Sequence, residues 1–209
     1  MAGKAQSVVF DQASRPFALY LHWPFCRAKC PYCDFNSHVS NDVDSKIFGD
    51  ALCTEMTHMA SLMPSRPPLS SLFFGGGTPS LMPPILVERL IRHAEDLFGF
   101  TGDIEITAEA NPTSVEADAM LGFQKAGVNR VSMGVQSLDD AGLKFLGREH
   151  SAADALHALD KVKKAFDRVS IDLIYALPDQ SPKAWQAMLG QALSLGLGHL
   201  SLYQLTIEA

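Results

Sequence analysis

Six short apolar runs recur along the chain, at Phe17 to Trp23, Ser71 to Phe74, Asp103 to Ala108, Asn129 to Val135, Arg168 to Ile174 and His199 to Ile207. They are rich in β-branched and aromatic residues, and longer stretches with helical periodicity separate them, so the pattern predicts strands alternating with helices. A helix that carries the chain back past a strand lets the next strand pair with it only in parallel. The alternation therefore predicts an α/β fold with a parallel sheet and right-handed crossovers. The clearest helix is Pro83 to Phe98, where Leu86, Leu90, Ile91, Ala94, Leu97 and Phe98 form one stripe opposite Glu88, Arg92, Glu95 and Asp96. Ser114, Ser151 with Asp154, and Ser181 before Pro182 read as N-caps, and Gly99 and Gly127 as stops. Six parallel strands fit either an open doubly wound sheet or an incomplete barrel, and periodicity does not separate the two.

In both architectures the C-terminal ends of the strands form the ligand face, and the unusual residues of this chain fall there. Cys26, Cys30 and Cys33, in Cys-Arg-Ala-Lys-Cys-Pro-Tyr-Cys, follow the first strand. Gly75-Gly76-Gly77-Thr78-Pro79 follows the second and Glu109-Ala110-Asn111-Pro112 ends the third. Gln136 follows the fourth, and Asp172 lies within the fifth. These pieces are expected to converge on one pocket.

Three cysteines within eight residues point to a metal or cluster site. Thiolates hold iron-sulfur cubanes, and three ligands for four irons would leave one iron open to a small molecule. Zinc is a second reading, but a structural zinc needs four closed ligands, and His22 or His38 would have to complete the set. Disulfides are a third, set against an odd thiol count and the lack of a signal peptide. Cys53, in Ala-Leu-Cys-Thr-Glu-Met, is expected as a buried core thiol on an amphipathic helix.

The triple glycine lets backbone approach a ligand closely, or it is merely a tight turn. Glu109 is placed to accept hydrogen bonds from ribose hydroxyls, or it is a solvated loop carboxylate. Gln136 and Arg148 could bind the polar parts of a nucleoside, although Arg148 could equally be a surface ion-pair partner. Asp172 sits in Val-Ser-Ile-Asp-Leu-Ile-Tyr, where an unpaired charge is costly, and so needs a partner.

A chain of 209 residues, 47% hydrophobic and 19% charged, fills the core of one moderate domain. A formal net charge of −6 gives no basic stripe and argues against a nucleic-acid partner. No apolar run is long enough to span a bilayer, and the first residues lack the core of a signal peptide, so a reducing cytoplasm is expected. Residues 1–16 read as a leader and 17–209 as the core domain.

Six motifs, Leu-Tyr-Leu-His-Trp-Pro-Phe-Cys, Cys-Pro-Tyr-Cys-Asp-Phe-Asn, Phe-Gly-Gly-Gly-Thr-Pro-Ser, Glu-Ala-Asn-Pro, Gly-Val-Gln-Ser and Asp-Leu-Ile-Tyr-Ala-Leu-Pro, occur in one order. With the CxxxCxxC spacing of the cysteines, the chain from about Phe17 onward resembles the radical S-adenosylmethionine (SAM) core of the oxygen-independent coproporphyrinogen oxidase-like family. Within it the chain is similar to the HemW haem-chaperone branch rather than to the HemN decarboxylase branch, which carries a further Cys where this chain has Phe35.

The resemblance implies an incomplete (β/α)6 barrel, with a C-terminal domain that this sequence does not contain. It implies a 4Fe-4S cluster on Cys26, Cys30 and Cys33, with Tyr32 flanking it. SAM would be contacted by Tyr20, Gly76, Gly77, Thr78, Glu109, Gln136, Arg148 and Asp172, and the cluster would supply an electron for its reductive cleavage. No catalytic side chain is assigned. The implied function is haem binding and transfer to an acceptor protein, with an electron donor. The alternative is oxidative decarboxylation of coproporphyrinogen III, which Phe35 puts in doubt, and an RNA-modifying enzyme is disfavoured by the acidic balance.

Overall fold

The computed structural model describes residues 16–206, so the expected leader lies almost wholly outside the described residues. The chain forms β1 (Phe17–Trp23), β2 (Phe25–Cys26), β3 (His38–Val39), α1 (Ser45–Leu62), β4 (Leu69–Gly76), α2 (Pro84–Phe98), β5 (Phe100–Ala110) and α3 (Ser114–Ala126). It continues through β6 (Arg130–Gln136), α4 (Asp140–Phe145), α5 (Ala152–Ala165), β7 (Arg168–Tyr175), α6 (Pro182–Ser194) and β8 (His199–Gln204). Six strands make one sheet in the order β1-β4-β5-β6-β7-β8, and every neighbouring pair is parallel. Strands that follow the chain in order leave β1 and β8 as the two edges, which is the partial barrel expected.

Apolar and polar residues alternate along the strands with period two, and that alternation sorts the two faces. Leu21 and Trp23, Leu72 and Phe74, Ile106 and Ala108, Val131 and Met133, and Ile171 and Leu173 are buried in one core with the helices. Leu86, Val87, Leu90, Ile91, Ala94 and Phe98 of α2 supply much of the facing stripe. The other face is polar. Glu109 pairs with Ser132, Ser132 with Ser170, Ser170 with His199, and Asp172 with Ser201 across successive strands. Parallel strands are ordinarily apolar on both faces; here the inner face is kept hydrophilic, and Asp172 belongs to it.

Helix starts follow side-chain chemistry. Ser151 and Asp154 form a reciprocal capping box on α5, and the Ser181 hydroxyl accepts from the Ala184 N–H at 3.1 Å, each cap being worth about 1 kcal/mol. The third cap is corrected. Thr113, not Ser114, caps α3, its hydroxyl accepting from the Glu116 N–H, because the chain turns into helical geometry one residue earlier than the Ser-Val-Glu-Ala pattern suggests. Gly99 and Gly127 end α2 and α3 at φ of 69° and 110°. Strand bounds also move: β4 and β5 extend at both ends beyond their apolar cores, β6 shifts one residue on, β7 gains Tyr175, and β8 ends at Gln204. Ile207 lies outside the described residues.

Candidate cofactor site

The segment after β1 is tied to the second strand end by backbone alone. Gly77 N–H donates to the Trp23 carbonyl at 2.7 Å and Thr78 N–H to that of Phe25 at 2.9 Å. The short pair β2 and β3 closes the cysteine loop on itself, with Cys33 N–H on the Cys30 carbonyl at 3.0 Å and Ser40 N–H on that of Cys26 at 3.1 Å. Gly76 sits at φ 116°, a region that L side chains avoid. A Cβ on Gly77 would stand 2.7 Å from the Phe25 carbonyl oxygen and 2.9 Å from Cys26 Sγ. Backbone cannot step aside there. We expect Gly77→Ala to cost about 1–3 kcal/mol and to impair metal loading; an unchanged melting temperature with unchanged iron uptake would refute this.

One cavity of about 720 Å3 opens at these strand ends, within the range of small-molecule sites. Cys26, Cys30 and Cys33 line it together with Tyr32, Gly76, Gly77, Thr78, Glu109, Gln136, Arg148 and Asp172. Tyr20 stands apart. It is 55% exposed, stacks on Phe73 with ring centroids 5.9 Å apart, and has its hydroxyl 3.4 Å from His22 Nδ1.

Asp34, Glu109 and Asp172 line the cavity, and the last two are deeply placed. Glu109 is pushed up from 4.5 to about 7, first by burial and then by the charge of Asp172, against the Gly76 N–H that donates to its Oε2 at 3.2 Å. Asp172 is also raised by burial. Its partners are hydroxyls. Ser132 Oγ donates to Asp172 Oδ1 at 3.1 Å, Ser170 Oγ to Ser132 Oγ at 3.0 Å, and Arg130 Nη2 to Ser170 Oγ at 3.0 Å. The hydroxyls of Ser201 and Ser132, then the more distant Arg130, hold Asp172 back toward its ordinary value.

Arg148 is not a surface ion-pair partner. Its Nη1 donates to Cys30 Sγ at 3.5 Å, and its Nη2 to Asn111 Oδ1 at 2.7 Å and the Gly134 carbonyl at 2.9 Å. Burial pushes the Tyr32 phenol well above its usual range, with Arg148 opposing and Cys30 adding. Gln136 holds φ 69°, a sparsely populated conformation for a non-glycine residue and a type of strain that clusters at ligand sites. Asn111, in the Glu109-Ala110-Asn111-Pro112 motif expected at this face, lines the cavity, whereas Ser132, Ser201 and His150 belong to no motif read from the sequence. His150 is buried, lies with Nε2 3.3 Å from the Val135 carbonyl, and is driven down to about 4 by burial and by Arg148.

The residues present fit a cluster. Among the described residues no three His, Cys, Asp or Glu side chains converge on a single metal ion, but a cubane distributes its thiolates over separate irons, so its sulfurs stand farther apart. All three cysteines face the cavity as free thiols, Gly77 leaves room beside Cys26, and Ser37, which lines the same cavity, has a buried hydroxyl without a protein partner. Neither histidine completes the zinc alternative. His22 Nε2 lies 2.9 Å from the Asn36 carbonyl, and neither His22 nor His38 lines the cavity. Cys53 is corrected from buried to partly buried: it packs against the core from α1 but borders a groove with Asp50 and Arg89. Among the described residues no helix is long and apolar enough to cross a membrane.

The sequence profile of the radical SAM superfamily matches residues 20–192. The chain is 43% identical over 199 residues to the mouse radical S-adenosyl methionine domain-containing protein 1, mitochondrial, covering 95% of this chain and 45% of that protein. It is 41% identical over 195 residues to the heme chaperone HemW of Escherichia coli, covering 92% and 51%. The structure of coproporphyrinogen III oxidase (HemN) from Escherichia coli, described as a radical SAM enzyme, superposes with a TM-score of 0.80 at 31% identity over 93% of this chain and 45% of that one. The chain spans about half the length of the curated relatives it matches. With a six-stranded partial barrel, a cysteine loop on its ligand face and a profile match across most of its length, the chain belongs to the radical SAM superfamily and is similar there to the HemN-like and HemW proteins.

Proposed function

We propose that this chain is the radical SAM portion of a haem chaperone of the HemW kind, working in a reducing compartment such as the cytoplasm. Cys26, Cys30 and Cys33 hold a 4Fe-4S cluster, and SAM lies across the strand ends. When bound, the cluster supplies a low-potential electron and an open iron for SAM. The protein's part is to orient and enclose. The glycine turn offers backbone groups to SAM, Glu109 and Asp172 accept hydrogen bonds from hydroxyls, and Arg148 and Gln136 meet polar groups on the far wall. Tyr20 stands outside the cavity on the edge strand and Tyr32 lines it beside the cysteines. The whole protein binds haem and passes it to an acceptor protein. The observation that carries this reading is the convergence of the three cysteines and eight of the nine cofactor-matching residues on one cavity.

A second reading, oxidative decarboxylation of coproporphyrinogen III, is favoured by the fit to the HemN structure. Phe35 weighs against it. This residue lines the cavity beside the cluster cysteines and is 57% exposed, where the resembling decarboxylases have a further thiol. Anaerobically reconstituted protein, in the length of its relatives, should bind haem and should not convert coproporphyrinogen III. Sustained turnover with substrate-dependent SAM cleavage would reverse the assignment. In the same preparation Glu109→Ala and Asp172→Ala should each weaken SAM binding roughly 10- to 100-fold, the worth of a hydrogen bond to a charged group. Glu88→Ala on the outer surface of α2 should not. Unchanged isotherms for both cavity variants would remove these carboxylates from the SAM site.

A further inference from the structure

Glu116 is a buried carboxylate, 6% exposed, that the site as described leaves without a task. It occupies the third position of α3, three residues after the capping Thr113. In an ordinary capping box a Glu there accepts from the backbone N–H of the capping residue. Here that N–H is already spent on the Asn111 carbonyl at 2.9 Å. The Glu116 carboxylate is thereby released to other donors. Its Oε2 accepts from the Asn111 N–H at 2.7 Å and from the Ser80 hydroxyl, and its Oε1 from Asn111 Nδ2 at 3.3 Å.

The last of these bonds has a directional consequence. An amide presents one donor end and one acceptor end, so holding Nδ2 against Glu116 turns Asn111 Oδ1 the opposite way. That oxygen accepts from Arg148 Nη2 at 2.7 Å, while Nη1 of the same guanidinium donates to Cys30 Sγ at 3.5 Å. We propose that Glu116 is a positioning residue that fixes which way the Asn111 amide points and, through it, holds Arg148 against Cys30. Its influence on a cluster rests on the reading of Cys30 as a cluster ligand, because hydrogen bonds to ligating sulfurs set cluster potentials.

The test is an exchange of the two side-chain types. In Glu116→Gln the carbonyl of the introduced amide stays with the Asn111 N–H and Ser80, which leaves its NH2 facing Asn111 Nδ2. Two donors cannot face one another, so the Asn111 amide turns over and presents NH2 to Arg148. Adding Asn111→Asp restores the pattern: one oxygen of the introduced carboxylate accepts from the introduced amide and the other from Arg148, with the charge of the pair unchanged. A plain helix cap would not respond in this way, since a Gln carbonyl serves a cap and Asn111→Asp adds nothing to it.

The guanidinium N–H signals of Arg148, followed by NMR in isotope-labelled, cluster-free protein, should be resolved in the parent, averaged by exchange in Glu116→Gln and resolved again in the double variant. After reconstitution the midpoint potential of the cluster should fall in the single variant and return in the double. Unchanged Arg148 signals in Glu116→Gln, or a change that Asn111→Asp fails to reverse, overturns the proposal. Should Glu116→Gln unfold, a folded double variant with parental Arg148 signals supports the proposal and an unfolded one overturns it. If the parent takes up no cluster, the reading of Cys30 falls, and the Arg148 signals still decide the orientation of Asn111.

Discussion

Replacing Cys26, Cys30 or Cys33 by Ala should abolish the iron and sulfide content of anaerobically reconstituted protein, while Cys53→Ala should leave it intact. The three loop cysteines face one cavity, and on the proposed reading each removed thiolate would take away one of three protein ligands of the cluster. Cys53 lies on α1, in a groove lined by Asp50, Thr54, Thr57, His58, Arg89 and His93. None of those residues lines the cavity of the cysteine loop. Burial pushes the Cys53 thiol up, disfavouring its ligating form, although neighbouring Arg89 partly opposes this. Iron retained in full by Cys30→Ala and lost in Cys53→Ala would overturn the ligand assignment. Stoichiometric zinc that survives exposure to air would instead restore the zinc reading of the loop.

The strands were legible because their outward residues are apolar and their loops carry turn chemistry. Phe17–Trp23 and the start of β7 at Arg168 fall where the apolar runs place them. The bounds of β5 did not. Its first residues, Phe100 to Gly102, include a glycine, and the pairing of Phe100 with Leu69 of β4, across a break in register, is a tertiary matter that local preference does not express. The minor pair β2 and β3 was invisible for a similar reason. Two residues a side give no periodicity, and the pairing exists because the cysteine loop must return over Cys26.

Within the site, motif residues were found through the ends of strands, whereas supporting residues were not. Ser132 and Ser170 read as ordinary polar positions in apolar strands, and only the parallel register places them in line with Asp172 and Arg130. Asp172 announced the need for a partner, but not that a chain of hydroxyls would meet it. Asn111 and Glu116 carried a usable signal. Thr113-x-x-Glu116 has the form of a capping box, which places a Glu where it can serve a nearby backbone N–H. With Ser114 as the cap Glu116 would not stand at the third helical position; with Thr113 it does.

Cluster-free protein should lose stability as the pH rises from about 4.5 to about 7, and Glu109→Gln should remove much of that loss. The carboxyl titrates at about 7 in the folded chain, against 4.5 as its ordinary value. The native state therefore holds a proton that the unfolded state releases earlier, and stability falls with pH where the unfolded state binds fewer protons. A displacement of this size corresponds to about 3 kcal/mol above pH 7. Gln keeps a carbonyl for the Gly76 N–H, so parent and variant should melt alike near pH 4 and diverge toward pH 8, with the variant more stable. Asp172, also raised by burial, adds to the slope in the parent; His150, held neutral down to about 4, works in the opposite direction between about 4 and 6.5. The difference between the two proteins cancels most of both contributions. The same titration bears on SAM, because the ionised carboxylate is the stronger acceptor for ribose hydroxyls. Affinity for SAM in reconstituted parent protein should therefore rise between pH 6 and 8 and be flat in Glu109→Gln. Parallel melting curves for parent and variant across this range would show that Glu109 titrates normally, and a SAM affinity with the same pH dependence in both would place its hydroxyl acceptor elsewhere.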